Sequence, residues 1–478
     1  MAGSTYFTRT DGTPTSDGTK ATVSFWVKPS QMPSSGEQGL FEIRDASITS
    51  SFDITWSNGR IWYGALHGSW VGSLIPYAKF DDSSAWYHIV AVYDSAQSTD
   101  YERMILYVNG KNVRTDYGGY STATYVAQDK NLPALSSSGY VQNWGRYGVG
   151  AAILDGYMAQ CVYVDGAVYQ ASTFGSTDAT TGEWKPKSDG EIRSAVTFGD
   201  QGCLLSFQNA SNPGYDYQTS DRSGTTNDYA KSGSGYQTQD NPSNNFVTLN
   251  SHFASTGTSA NVAKTLTYGN LAGYPTGNNG LAANMGASKG KWYWEARPVA
   301  TYAMMGIMSG SASGLDTYDA DYANGFDGYG GNKAIMVGTE SGNLQLMNVT
   351  TTDSTWGTAM NESTDVLGVA VDLDNNNIYF SVNGTWQNSG VPTSGATGTG
   401  AVAITVQTGQ PALGEEVWLP AQHSFSGSAT VQFNFGQGYF ATTSVGATNA
   451  DDAGLGVFKY DVPAGYYALC TKNLKTYG

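Results

Sequence analysis

The stretch Val366–Trp386 reads VLGVAVDLDNNNIYFSVNGTW. Leu367, Val369 and Val371 alternate with Gly368, Ala370 and Asp372, a period of two that belongs to a strand. Ile378, Phe380 and Val382 alternate with Tyr379 and Ser381 in a second strand. Between them, Asp372 to Asn377 is rich in Asp and Asn, which tolerate left-handed backbone and bond their own main chain. Asn383-Gly384 then supplies a second turn. The stretch predicts an antiparallel hairpin. The small residues Gly368 and Ala370 predict a neighbour close over one face.

Trp86–Lys111, WYHIVAVYDSAQSTDYERMILYVNGK, repeats this pattern in the first half. It too has a Val-Ala-Val strand, an acidic turn and a strand ending in Val-Asn-Gly. Further strands are expected at Val23–Val27, at Phe52–Trp56 and Ile61–Tyr63 around Ser57-Asn58-Gly59, and at Ile153–Val164. The fold class expected is all-β: two antiparallel β-sandwiches of jelly-roll type. Residues 1–170 form the first, with a final strand at 203–207. Residues 251–478 form the second. From Gln208 to Asn245 aliphatic side chains are almost absent, so 171–250 is expected to be a polar linker, or an arm that reaches a neighbouring subunit through its tyrosines.

Bulk properties exclude several functions. The 478 residues carry a net charge of −16, which disfavours direct contact with nucleic acid or anionic membrane. No secretion signal and no apolar run of membrane-spanning length is visible, so synthesis in a host cytoplasm is expected. The three cysteines, Cys161, Cys203 and Cys470, form no close pair and are expected as free thiols.

SFWVKPS (24–30), WYHIVAVYD (86–94), LYVNGKNV (106–113) and LDGYMAQCVYVDGA (154–167) resemble the laminin-G-like, concanavalin-like jelly-roll family. That resemblance implies two curved antiparallel sheets, and a binder of glycans or proteins. GKWYWEA (290–296), LGVAVDLDNNNIYFSVNG (367–384), LPA (419–421) and FNFGQGYF (433–440) resemble the SPRY family, whose members bind partners through loops and are not enzymes. The combination, with TDATTGEWKPK and the closing PAGYYALCTKNL, resembles virion proteins of tailed phages. It implies a surface appendage, a fibre or decoration protein of head or tail. Its partners would be other virion proteins, further copies of itself (commonly a trimer) and a host-surface glycan.

Aromatic faces stack on sugar rings, so Trp62, Tyr63, Trp70 and Tyr77 are candidate glycan contacts. Tyr318, Tyr322, Phe326 and Tyr329, in a long Gly/Asp-rich stretch, are a second set. Packing within the sandwich is the competing role for each. No cofactor is expected; a calcium ion at the sheet rim, held by Asp53, Asp155 and Asp165, is the alternative, with turn formation as the simpler role. Asp372-x-Asp374-x-Asn376 resembles the start of a calcium loop but lacks the sixth-position glycine and the twelfth-position glutamate. No Glu-x-Asp-x-x-Glu strand, G-x-S-x-G or zinc-ligand spacing occurs. The chain is therefore expected to be no enzyme, with a glycan-depolymerising tailspike or a purely structural cement protein as the alternatives.

Overall fold

The computed structural model describes residues 5–32, 36–148, 152–219, 227–252, 264–275, 279–300, 303–310, 334–340, 343–347, 352–405, 412–424 and 429–478. The chain divides into two compact units, Met1–Gln237 and Thr238–Gly478. Both are built from antiparallel sheets, so the all-β expectation holds.

The first unit contains β1 (Tyr6–Thr10), β2 (Lys20–Pro29), β3 (Gln38–Arg44), β4 (Ser50–Ser57), β5 (Arg60–His67) and β6 (Ser69–Pro76). These are followed by β7 (Tyr87–Asp94), β8 (Met104–Val108), β9 (Lys111–Asn112), β10 (Tyr120–Thr124), β11 (Val141–Trp144), β12 (Arg146–Tyr147) and β13 (Ala152–Ile153). The remaining strands are β14 (Gly156–Asp165), β15 (Gly175–Thr177), β16 (Trp184–Pro186), β17 (Cys203–Leu205) and β18 (Ala230–Ser232). An eight-stranded sheet runs β10-β6-β5-β4-β3-β11-β1-β18, and a six-stranded sheet runs β17-β14-β2-β7-β8-β9. Alternation places Val23, Phe25, Ile89 and Tyr163 of the smaller sheet in one core with Phe41, Phe52, Ile54 and Trp144 of the larger.

The opposite face of the smaller sheet is also apolar. Val90, Val92, Val162 and Val164 are buried there with Phe174, Ile192 and Phe198. Residues 171–198 therefore form a third layer of this unit and not a linker. The helix Asp189–Ala195 within that layer starts with a capping box between Ser188 and Glu191. Cys203–Leu205 pairs with β14, as a final strand should.

Residues 208–237 also belong to the first unit. Its outermost strand, β18, pairs with β1. Tyr229 is buried in the core, its hydroxyl bonded to Gln142 and its ring under Arg9 at 5.1 Å. The polar composition of this stretch concealed it because its backbone groups are satisfied by side chains. Asp216, for example, accepts from the amides of Leu204 (2.9 Å), Gln218 (3.0 Å) and Asn227 (3.1 Å).

The second unit contains β19 (Lys264–Thr267), β20 (Ala272–Pro275), β21 (Asn279–Ala282), β22 (Lys291–Pro298), β23 (Ala303–Ser309), β24 (Ala334–Glu340) and β25 (Asn343–Met347). It continues with β26 (Thr352–Gly357), β27 (Leu367–Asp372), β28 (Asn377–Val382), β29 (Thr385–Trp386), β30 (Val402–Ala403), β31 (Trp418–Ser424) and β32 (Val431–Asn434). One sheet runs β19-β20-β32-β22-β27-β28-β29, with β30 beside β28 and Tyr467–Ala468 running parallel to β22. The other runs β21-β31-β23-β24-β25-β26. The hairpin read first from the sequence is β27 and β28, and β27 lies inside its sheet between β22 and β28.

The small residues of β27 do have a close neighbour. Ala370 is buried with Tyr293, Phe458, Tyr466 and Ala468, so the C-terminal segment covers that face. A Cβ on Gly368 would lie 2.8 Å from the Tyr293 hydroxyl. Glu295 anchors the cover: its carboxylate accepts from the amides of Lys459 (3.0 Å) and Tyr460 (2.8 Å) and from Asn434 Nδ2 (3.0 Å). Asp451 organises the same segment, accepting from Leu455 N (2.7 Å), Gly456 N (2.9 Å), Ala468 N (2.8 Å) and Asn473 Nδ2 (2.8 Å).

Candidate functional site

The larger sheet of the first unit turns a polar face away from its core. Strand register sets Thr8, Asn143, Glu42, Asp53, Gly64, Ser73 and Thr124 in one row across seven strands. Glu42 and Asp53 are directly opposed on β3 and β4, and both are fully buried. Glu42 Oε2 accepts from Asn143 Nδ2 (3.0 Å) and pairs with Arg44 Nε (3.2 Å), and its Oε1 accepts from the Gly148 amide (3.0 Å). Ser51 Oγ donates to Asp53 Oδ2, while Oδ1 has no hydrogen-bond partner among the described residues.

Electrostatics follow from this packing. Burial pushes the Glu42 carboxyl up, against the pull of its three donors. Burial pushes Asp53 up much further, and the charges of Glu42 and Glu37 add to it. Both carboxyls of this register pair are thus displaced upward, Asp53 the more strongly.

Aromatic rings stand over this row. Trp62 Nε1 donates to Ser73 Oγ (2.8 Å). Trp62 packs edge-on against Trp70, with centroids 4.5 Å apart, and against Tyr147 at 6.2 Å. Gly64 leaves the room they need, since a Cβ there would sit 2.9 Å from Trp70 and 3.1 Å from Trp62. Trp70 remains 43% exposed. Tyr147 lies near the acids: burial raises its hydroxyl, and the charges of Asp53, Glu37 and Glu42 raise it further.

Of the residues expected to touch a glycan, Trp62 and Trp70 thus come together. Tyr63 does not: it points into the core, its ring against Phe52 at 5.4 Å and its hydroxyl on the Val92 carbonyl at 3.0 Å. Neighbours on a strand face opposite sides, so Trp62 and Tyr63 could not both line one surface. Tyr77 is 61% exposed just beyond the end of β6. Tyr318, Tyr322, Phe326 and Tyr329 lie outside the described residues. Sequence reading missed Glu42, Asp53 as its partner, and Tyr147. The available signal was an acid alternating with apolar residues in Phe41-Glu42-Ile43 and Phe52-Asp53-Ile54.

Asp53, Asp155 and Asp165 do not assemble: among the described residues no three His, Cys, Asp or Glu side chains form a group able to hold a metal ion. Asp165 is a backbone clip, accepting from Thr15 N (2.6 Å), Ser16 N (2.9 Å) and Gln201 N (3.2 Å). Asp155 joins strand ends through its main chain, its carbonyl accepting from Ser30 N at 2.9 Å. The Asp372–Asn377 loop is likewise a turn. Asp372 holds Asn375 N (3.0 Å) and Lys291 Nζ (3.1 Å), and Asp374 holds Gly290 N (2.8 Å).

Residues 2–155 match the Laminin_G_3 family, described as the concanavalin A-like lectin/glucanases superfamily. No curated protein matches the chain. Among solved structures, the PSpry domain of TRIM65 is similar at 13% identity, covering 39% of this chain and 91% of that one, with a TM-score of 0.27. A heptameric SAP-like pentraxin from Limulus polyphemus is similar at 15% identity, covering 43% and 86%, with a TM-score of 0.28.

Proposed function

We propose that this chain is a non-catalytic glycan-binding protein whose contact surface is the outer face of the larger sheet in the first unit. One observation carries the reading: the exposed Trp70 ring beside Trp62, above a row of polar side chains. A sugar offers an apolar ring face for stacking and hydroxyls for a polar floor. The match of residues 2–155 to the concanavalin A-like lectin/glucanases superfamily supports a carbohydrate ligand. The setting proposed from sequence resemblance is the surface of a tailed-phage virion, as a fibre or decoration appendage, self-associated and bound to other virion proteins. Glycan-array binding of the purified chain tests the reading. Trp70→Ala should remove the signal without lowering the melting temperature, and an unchanged signal would defeat it.

The register-paired carboxylates Glu42 and Asp53 favour a second reading, a glycan hydrolase. Such an enzyme needs two carboxyl groups facing one glycosidic bond. Against it, both are fully buried and Glu42 is occupied by Asn143, Arg44 and Gly148. Release of reducing ends from a bound glycan, lost in Glu42→Gln, would establish the hydrolase.

A further inference from the structure

We propose that the sugar taken by this face carries a free ammonium group, as a deacetylated hexosamine does, and that Asp53 is its counter-charge. The inference rests on the reading of the face as a glycan site and adds the chemical class of the ligand. The charges of Glu42 and Glu37 both act on Asp53, and Arg44 is the guanidinium in ion contact with Glu42. Asp53 Oδ1 is buried without a hydrogen-bond partner among the described residues, an arrangement that is unfavourable unless something answers it. In the row, Asp53 sits between Glu42 and Gly64, and Gly64 is roofed by Trp62 and Trp70.

A cation on a sugar ring satisfies both halves of this arrangement. The pyranose stacks on indole, the ammonium is attracted by the π faces, and its N–H groups reach a carboxylate that lacks a donor. Trp70 is the exposed part of the roof and offers its ring to the sugar. Burial favours the protonated form of Asp53, so the ammonium, as counter-charge, displaces whatever proton that carboxyl carries. Binding therefore releases a proton to the buffer. Uronic or sialic sugars would bring a second negative charge to an acidic floor and are disfavoured.

Calorimetry on the full chain at pH 6 with chitosan tetramer, chitin tetramer, a uronate oligomer and spermidine tests this. The expected result is chitosan binding about tenfold or more tighter than chitin, with an enthalpy that changes with buffer ionisation. Asp53→Asn, and separately the partly exposed Glu37→Gln, should shrink that preference while chitin binding persists. Equal affinity for the two tetramers, or tighter binding of the uronate, would overturn the ligand class and leave the glycan site standing. Spermidine binding as tight as chitosan would overturn the sugar requirement. Failure of every glycan to bind would remove the site and this inference together.

Discussion

Trp184 Nε1 donates to Nδ1 of His88 at 2.9 Å, and this contact fastens the third layer of the first unit to its sheet. The proton of His88 is thereby placed on Nε2, which faces Ser24 Oγ at 2.9 Å. Trp26 stacks on the imidazole with ring centroids 4.7 Å apart. The indole is fitted between two glycines, since a Cβ on Gly110 or Gly175 would lie within 2.6 Å of it. Trp184→Ala should therefore lower the stability of the first unit by about 2–4 kcal/mol, from lost packing and an orphaned ring nitrogen. Trp184→Phe keeps most of the packing and should cost about 1–3 kcal/mol, for the missing donor. Urea unfolding of the two variants measures both. A change under 0.5 kcal/mol in Trp184→Ala would mean that the layer is held elsewhere.

The same histidine makes stability depend on pH. Burial lowers the His88 pKa to about 3, and His423 in the second unit is lowered to about 3 for the same reason. The unfolded chain takes a proton near pH 6.5 that the native rings refuse. Each histidine's contribution is thus complete above pH 6.5 and declines as pH falls toward 3. Between pH 7 and 5 the loss is about 2 kcal/mol per histidine. Glu42, Asp53 and Glu295 act in the opposite sense, because their native carboxyls hold protons that the unfolded ones release. Comparing the chain with His88→Gln isolates the histidine: the variant should be less stable at pH 7 and lose less on acidification. Parallel pH profiles would refute the assignment.

Much of this architecture is legible in the sequence, and the part that is not has a physical cause. Period-two alternation states which residues share a face, so β2, β7, β27 and β28 could be read directly. It does not state which strands pair across long separations. Glu42 meets Asp53 through a local hairpin but meets Asn143 through a pairing about a hundred residues away. The polar face was therefore invisible as a surface, although each of its acids stood out in its strand. The stretch around Tyr229 was misread because a few buried aromatics and side-chain-to-backbone bonds can anchor a segment with almost no aliphatic residues. Tyr63 shows the limit of counting aromatics without assigning their faces.

Glu295 offers a test of the covering segment in the second unit. Its carboxylate is fully buried and receives two backbone amides, those of Lys459 and Tyr460. Glu295→Ala would leave both amides and Asn434 Nδ2 without that acceptor, costing about 2–5 kcal/mol. The segment from Asn449 to Cys470 should then be cut by protease well before the rest of the unit. Cleavage at the parent's rate would show that Asp451 and the apolar contacts suffice without Glu295.

Val369 lies at the centre of the hairpin from which the fold was first read. It is fully buried, paired with Trp294 on β22 and Phe380 on β28. A carboxylate there would have apolar neighbours on the core side and no cation beside it in the strand register. Burying an unpaired charge costs several kcal/mol, and a domain has about 5–15 kcal/mol in hand. Val369→Asp should therefore abolish the cooperative melting of the second unit. Asn376→Gly, seven residues on, supplies the control. Asn376 has a φ of 56°, in the left-handed region where glycine is at ease. Its carbonyl, which accepts from Ile404 N at 2.8 Å, is kept in the variant. That substitution should change stability by no more than about 0.5 kcal/mol. Calorimetry of the two variants against the parent decides the matter: a second-unit transition unmoved by Val369→Asp would place β27 at a surface and contradict its position between β22 and β28.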